Sequence, residues 1–340
     1  MNILVCGNSG FIGTHLTRLL AERGHSVSGM DLLSPKDDEP LAEHFIGDIR
    51  KADDCRRALG GGTECVINLA AKHHDFGITR QEYFETNEGG TRALLEAMAE
   101  TGVGKFLFYS SVAVYGARDE ESDEDTPPTP TSDYGASKLA AEAVIREWVE
   151  QAADRSAVIF RPCLIFGEGN FANMYSLIRQ IDRGRFFHFG PKDTIKAVAY
   201  VGNIIRATAQ WVERMPAGVT IHNYVDKPDL TVDEMVTVIS DALGRKRPKK
   251  RFPLWLGVAA GKMFDLASKV TGKPLRVSSA RVKKLATSTR FAADRIRQAG
   301  FEPEFSIEQG LRSMTAWYLR QKELHGGKEP PEAKLGGSSQ

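Results

Sequence analysis

Residues 2–20 leave this chain few choices. Asn2-Ile3-Leu4-Val5-Cys6 is a short apolar run with the composition of a buried strand. Gly7-Asn8-Ser9-Gly10-Phe11-Ile12-Gly13 follows, and then a helical pattern through Leu16, Leu19 and Leu20. Strand, glycine turn and helix in that order suit a dinucleotide. Gly7 permits the tight turn, Gly10 lets the backbone approach a pyrophosphate, and Gly13 lets helix and strand pack closely. Phe11 and Ile12 open the helix whose N-terminus would face that pyrophosphate. Ser26–Met30 reads as the second strand, and Asp31 ends it. A carboxylate about twenty positions past such glycines accepts from the adenosine ribose hydroxyls and repels a 2′-phosphate, so NAD is expected over NADP. A generic strand–helix turn is the plainer alternative.

The second informative stretch is Ser132-Asp133-Tyr134-Gly135-Ala136-Ser137-Lys138, placed before an alanine-rich apolar run. Positions i and i+4 share a helix face. A lysine cation beside a phenol favours phenolate and lowers its pKa. Such a tyrosine can take a proton from an alcohol and return it. The spacing alone also fits a surface aromatic beside a solvated lysine.

The glycine spacing is Gly-x-x-Gly-x-x-Gly, not the Gly-x-Gly-x-x-Gly of most dehydrogenases. It is joined by Ser110-Ser111-Val112-Ala113-Val114-Tyr115-Gly116, by Tyr134-x-x-x-Lys138 and by Arg161-Pro162-Cys163-Leu164-Ile165-Phe166-Gly167. Together these resemble the extended short-chain dehydrogenase/reductases, the group of nucleotide-sugar epimerases and dehydratases, over about residues 1–320. The resemblance implies a catalytic set of Ser111, Tyr134 and Lys138, with Ser111 also binding substrate. It implies that Asp48 and Ile49 meet the adenine, that the backbone at Pro162 meets the nicotinamide carboxamide, and that Asn87 is structural and lies near the cofactor. A helix cap is the alternative role for Asp48. Small residues at the carboxyl end of the fourth strand, Leu69-Ala70-Ala71, let a cofactor lie against the backbone. Asn173 stands where the family contacts the nucleotide diphosphate. Lys196 takes the place of a frequent arginine, and Asn203 that of an aspartate. The Arg-x-x-Asp pair that UDP-galactose 4-epimerases use for the uridine ribose is not found.

Dehydratases of this group carry an Asp-Glu pair after the catalytic serine. Val112 and Ala113 stand there and cannot transfer protons. The expected activity is therefore NAD-dependent epimerisation at a sugar C4 hydroxyl through a transient 4-keto sugar, on a nucleotide-diphosphate sugar. The alternatives are a 4-keto-sugar reductase, a 3β-hydroxysteroid-dehydrogenase-like alcohol dehydrogenase and a non-catalytic nucleotide sensor. The tyrosine–lysine pair counts against the last.

Repeating βα units predict a doubly wound parallel sheet of Rossmann type with a smaller, mostly helical C-terminal lobe. The NAD-binding part is expected over 1–167 and the substrate lobe over 168–324, with segments around 196–224 returning to the sheet and a disordered tail over 325–340. A homodimer through helices at 90–101 and 134–150 is implied by the resemblance. With a net charge of +1 the chain has no global pull toward nucleic acid. Scattered Cys6, Cys55, Cys65 and Cys163 read as reduced core residues, and His73-His74-Asp75 as a loop and not a metal site. No leader precedes the first strand and no apolar run reaches the ~18 residues of a membrane span, so a cytoplasmic location is expected. The acidic and proline-rich residues 117–133 read as a solvated loop. The basic run Arg245–Arg251 and the apolar stretch to Leu266 fit either a solvated turn with a packed helix or a weak contact with an anionic membrane surface.

Overall fold

The structure is a computed structural model and describes residues 1–36, 38–60, 62–73, 77–259, 261–262, 287–328 and 330. The first half alternates strand and helix: β1 (Asn2–Cys6), α1 (Phe11–Glu22), β2 (Ser26–Asp31), β3 (Glu43–Ile46), α2 (Ala52–Ala58), β4 (Cys65–Asn68), α3 (Arg80–Phe84), α4 (Gly90–Thr101), β5 (Lys105–Tyr109) and α5 (Asp133–Glu150). A π-helical turn, Glu85–Gly89, joins α3 to α4, and a 3-10 turn, Val112–Tyr115, follows β5. Next come β6 (Ser156–Pro162), β7 (Leu164–Phe166), α6 (Asn173–Asp182), β8 (His188–Phe189), β9 (Val198–Tyr200), α7 (Val201–Arg214) and β10 (Gly218–Tyr224). The chain closes with α8 (Val232–Ala242), β11 (Arg251–Phe252), α9 (Asp294–Gln298) and α10 (Ile307–Leu324).

Seven strands form one parallel sheet in the order β10-β6-β5-β4-β1-β2-β3. Side chains alternate across a strand, so a sheet covered on both faces needs apolar residues at nearly every position. Ile3, Val5, Cys65, Ile67, Leu107, Val158 and Phe160 enter one core. Their neighbours Leu4, Cys6, Val66, Phe106, Phe108, Ala157 and Ile159 enter the other. All four cysteines are free. The order reverses between β1 and β4, and ligands of such sheets bind in the crevice beyond the carboxyl ends of the strands at that point. The Gly7 turn leaves β1 there and Leu69–Ala71 leaves β4.

The strand β10 extends the sheet beyond β6. Residues of the smaller lobe meet at Asp182, at the end of α6. Its carboxylate accepts from Tyr318 Oη (2.9 Å) and pairs with Lys322 Nζ (2.7 Å) and Arg245 (3.0 Å). These three contacts hold its pKa low against burial, which acts first and in the opposite direction. Asn203 is fully buried, and its amide both donates to Phe305 O (2.8 Å) and accepts from Phe305 N (3.0 Å). That closed pair makes it a clip for the chain leading into α10.

One expectation changes. Residues 117–133 are not simply a solvated loop. Ser122 is buried, its N–H donates to Arg290 O (3.3 Å), its carbonyl accepts from Ala292 N (2.9 Å), and Arg295 pairs with Asp125 at 2.7 Å. The partners lie about 170 residues away, where local composition carries no signal. After α10 the chain continues in a turn, where Gly327 N donates back to Lys322 O at 2.7 Å. Residues 329 and 331–340 lie outside the described residues, as do His74, Asp75 and the part of the 245–266 segment beyond Lys262.

Candidate active site

Gly7 has φ +85°, a left-handed conformation, and a Cβ placed on it would lie 2.8 Å from Ala70 N. Only glycine fits both demands. The turn therefore lies directly against Leu69–Ala71, all three partly buried, with Leu69 N donating to Cys6 O at 2.9 Å. A Cβ on Gly13 would meet Gly7 O at 2.2 Å, so α1 packs onto the turn itself. Gly10 is the N-cap of α1 and offers no side-chain cap. The first N–H groups of that helix, from Phe11 onward, thus have no side-chain acceptor. Unsatisfied donors and the positive end of the helix dipole make a site for a pyrophosphate. Buried Asn8 Oδ1 in the same turn also has no partner among the described residues.

Asp31 closes β2 beside this turn. Its carboxylate accepts from Ser9 N (3.1 Å) and Leu33 N (3.0 Å). Burial raises its pKa, and these backbone donors oppose the rise. A partly exposed carboxylate at this place fits ribose hydroxyls, so the residues suit NAD. Asp31→Ser should narrow the preference for NAD over NADP by about tenfold or more, the scale of relieving one like-charge contact. Paired calorimetric titrations with the two dinucleotides check this; an unchanged affinity ratio would contradict it.

Asp48 and Ile49 occupy more structural positions. The Asp48 carboxylate is gripped by Arg50, whose Nε lies 2.9 Å from both oxygens, and it also accepts from Arg50 N at 3.0 Å. Lys51 is the N-cap residue of α2, so Asp48 satisfies a backbone donor, Arg50 N, just ahead of the helix and not at its cap. Ile49 is buried against Gly90, where a Cβ would lie 2.7 Å from Ile49 Cδ1. Asn87 is buried in the π-helical turn. It accepts from Lys72 N (2.9 Å) and donates to Lys72 O (3.0 Å) and Ser137 Oγ (2.9 Å). It therefore ties the chain leaving β4 to α5.

The α5 N-terminus is set by Ser132, whose hydroxyl accepts from Gly135 N at 3.1 Å. A Cβ on Gly135 would lie 2.4 Å from Ala113 O, so α5 starts in contact with the 3-10 turn that follows Ser111. Ser111 Oγ accepts from Ala113 N at 3.2 Å and caps that turn. One turn along α5, Lys138 Nζ donates to Tyr109 O at 2.8 Å, with the ammonium 4.6 Å from the centre of the Phe108 ring. These contacts bring Ser111, Tyr134 and Lys138 to one end of β5. Tyr134 is half-buried, and its ring lies 6.0 Å from that of Tyr83.

Lys138 is 2% exposed. Burial pulls its pKa down from 10.5 to about 7, and the Glu142 carboxylate pulls the other way. The lysine's help to a phenolate is therefore strongest below about pH 7, or when negative charge is brought alongside. The stability consequence has a definite sign. Between about 7 and 10.5 the unfolded chain holds this proton and the folded chain does not, so rising pH favours folding there. Urea unfolding of wild type minus Lys138→Met should show this as a slope of up to ~1.4 kcal/mol per pH unit; parallel curves would contradict it.

Behind Lys138 lies a buried network absent from the sequence reading. Glu142 accepts from Ser110 Oγ (2.6 Å), Arg161 Nε (2.9 Å) and Arg161 Nη2 (2.6 Å). Arg161 Nη1 donates to Tyr115 Oη (2.8 Å), which donates to Asn223 Oδ1 (2.7 Å). Burial works against the Arg161 charge, and Glu142 more than offsets it. The spacing Tyr134, Lys138, Glu142 on one helix face was the available signal.

The remaining candidates are less gathered. Pro162 is buried at the end of β6. Asn173 is exposed in the first turn of α6, whose N-cap Ala172 provides no side-chain bond. Lys196 Nζ donates to Thr287 O, so its amine is engaged by the backbone. Among the described residues no group of three or more His, Cys, Asp or Glu side chains is placed to hold a metal.

Over 311 residues the chain is 39% identical to the N-acetyl-alpha-D-glucosaminyl-diphospho-ditrans,octacis-undecaprenol 4-epimerase of Escherichia coli O157:H7, covering 91% of this chain and 93% of that one. It is 28% identical over 341 residues to a UDP-glucose 4-epimerase of Vibrio cholerae, covering 94% and 96%. The solved structure of MoeE5 in complex with UDP-glucuronic acid and NAD has the same fold, with TM-score 0.75 at 24% identity over 94% of this chain and 99% of that one. A model of the NAD dependent epimerase/dehydratase family matches residues 3–225, from the first strand of the glycine turn to the end of β10. With that span holding the dinucleotide cradle and the serine, tyrosine and lysine gathered at β5, the chain belongs to the NAD dependent epimerase/dehydratase family.

Proposed function

We propose that this protein interconverts the two configurations at C4 of a sugar carried on a nucleoside diphosphate. The observation that supports the reading is that Lys138 Nζ donates to Tyr109 O at the end of β5, while Gly135, beside Tyr134, packs so close to Ala113 O, two residues past Ser111, that it leaves no room for a Cβ. Bound NAD supplies the acceptor and donor of hydride at C4. Tyr134 takes the proton from the C4 hydroxyl, and Ser111 holds the oxygen. Lys138 favours the phenolate and orients the nicotinamide ribose. The transient 4-keto sugar turns in the site, its C4 would take the hydride back from the cofactor on the opposite face, and Tyr134 returns the proton to the C4 oxygen. Val112 and Ala113 offer no acid or base for dehydration.

The cofactor contacts in this reading are Gly7, Gly10, Phe11, Ile12, Gly13, Asp31 and Leu69–Ala71, with backbone at Asp48, Ile49 and Pro162. Asn173 and Lys196 flank the diphosphate. A homodimer through α4 and α5, a cytoplasmic location and contact with a membrane surface around 245–266 belong to the same reading. Among the described residues no helix is long and apolar enough to cross a membrane.

A second reading replaces the nucleotide with a polyprenyl carrier. The 39% identical relative from E. coli, named for an undecaprenol-linked sugar, favours it. Incubation with UDP-, GDP- and dTDP-sugars, and separately with a polyprenyl-diphospho sugar, without added cofactor, distinguishes these. A 4-epimer formed catalytically supports epimerisation, and the productive panel names the carrier. Stoichiometric consumption of added NADH would instead identify a reductase.

A further inference from the structure

We infer that a face built by β8, β11 and residues 246–255 docks this protein on an anionic lipid bilayer. The inference deepens the polyprenyl reading and rests on it for its purpose, but the surface stands on its own observations. The strands β8 and β11 pair in parallel, with Arg251 opposite His188 and Phe252 opposite Phe189. Side chains alternate, so the ribbon has two unlike faces. On one face His188 and Arg251 both turn to Asp233, His188 Nδ1 at 3.0 Å and Arg251 by a bidentate pair. That face is anchored to α8.

The other face is aromatic and open to water. Phe187, Phe189 and Phe252 are 42%, 37% and 37% exposed, yet their rings are in contact, 5.8 Å from Phe187 to Phe252 and 5.9 Å from Phe189 to Phe252. Trp255, in the helical turn that follows, is 66% exposed. Single exposed apolar residues are ordinary, whereas a contiguous aromatic patch marks an interaction surface.

Charge selects the partner. Arg245, Arg247 and Arg251 are neutralised by Asp182, Asp241 and Asp233. Lys246, Lys249 and Lys250 are exposed and have no ion-pair partner among the described residues. The period of two sets Lys250 on the same side as Phe252. Three solvated ammonium groups around four exposed aromatic rings match a surface that is anionic outside and apolar beneath. Aromatic rings settle at that boundary, and each lysine near it strengthens attraction about fivefold. The helix α6 links this face to the proposed diphosphate contact. Asn173 begins it, Phe187–Phe189 follow its end, and its ten residues span about 15 Å. A sugar diphosphate anchored in the bilayer would thus reach the site without leaving the membrane.

The test uses the full chain and liposomes of phosphatidylcholine, with and without an equal part of phosphatidylglycerol. Flotation should recover the protein with the anionic liposomes and lose it as salt is raised. The Trp255 fluorescence should shift to the blue on binding. The variants are Phe252→Ser with Trp255→Ser and, separately, the exposed set Lys246→Glu, Lys249→Glu and Lys250→Glu. Each should weaken flotation about tenfold or more while turnover of the productive sugar diphosphate, presented in detergent without liposomes, stays at the wild-type rate. Failure of the wild type to float overturns the inference, as does undiminished flotation of both variants. A variant that shifts the oligomeric state without changing flotation assigns the face to a second copy and overturns it too. Lack of turnover on every sugar while flotation persists defeats the epimerase reading alone.

Discussion

Tyr134→Phe should lower turnover by about 10²- to 10⁴-fold, the contribution of one positioned acid–base group, equivalent to ~3–5 kcal/mol. The substitution removes one oxygen from a half-buried ring that keeps its packing against Tyr83. Unfolding temperature and NAD affinity should therefore stay within experimental scatter of the wild type. Stopped product formation with an intact fold separates chemistry from damage. A purified variant that turns over at near-normal rate would remove Tyr134 from the mechanism. A loss of both fold and activity would show that the hydroxyl acts structurally.

The second large effect is on stability. Arg161→Met strips the guanidinium from Glu142, which is fully buried on α5. Breaking a buried ion pair costs ~3–5 kcal/mol, against a typical total of ~5–15 for a folded domain; Arg146, 3.7 Å from Glu142, and the Ser110 hydroxyl remain and hold the loss to the lower end. Urea unfolding should show that drop, or the protein should fail to accumulate. The double variant Glu142→Leu with Arg161→Met should recover much of it, because a buried ion pair exchanged for apolar groups of similar size is often neutral. Tyr115 keeps Asn223 in both variants. If Arg161→Met unfolds at the wild-type urea concentration, the ion pair is not what holds β6 to α5.

What the sequence disclosed was local. Gly7, Gly10 and Gly13 are read together because a turn, a close approach and a helix start all lie within seven residues. Tyr134 and Lys138 are read together because one helical turn joins them. The unbroken apolar runs of β1, β4, β5 and β6 are those of strands covered on both sides. What stayed hidden was pairwise and distant. Nothing near Arg161 says that Glu142, Tyr115 and Asn223 converge on it from 19 to 62 residues away. The same holds for Ser122 against Arg290, for Asn203 against Phe305 and for Lys196 against Thr287. The grip of Arg50 on the Asp48 carboxylate, two residues away, carries no sequence signal of its own. Phe187 and Phe189 carried no helix or strand period long enough to be noticed, and only the short ribbon with β11 reveals that they meet Phe252.

The position of β10 has a consequence for how the protein is made. The ribosome releases the glycine turn, β5, α5 and β6 well before Gly218–Tyr224 emerges. Until then β6 is paired with β5 alone and forms an open border strand carrying Phe160, and Tyr115 lacks its acceptor on Asn223. A nascent chain stalled near residue 170 would therefore expose a sticky border on its catalytic half, and is the stage at which chaperone capture during synthesis should be heaviest.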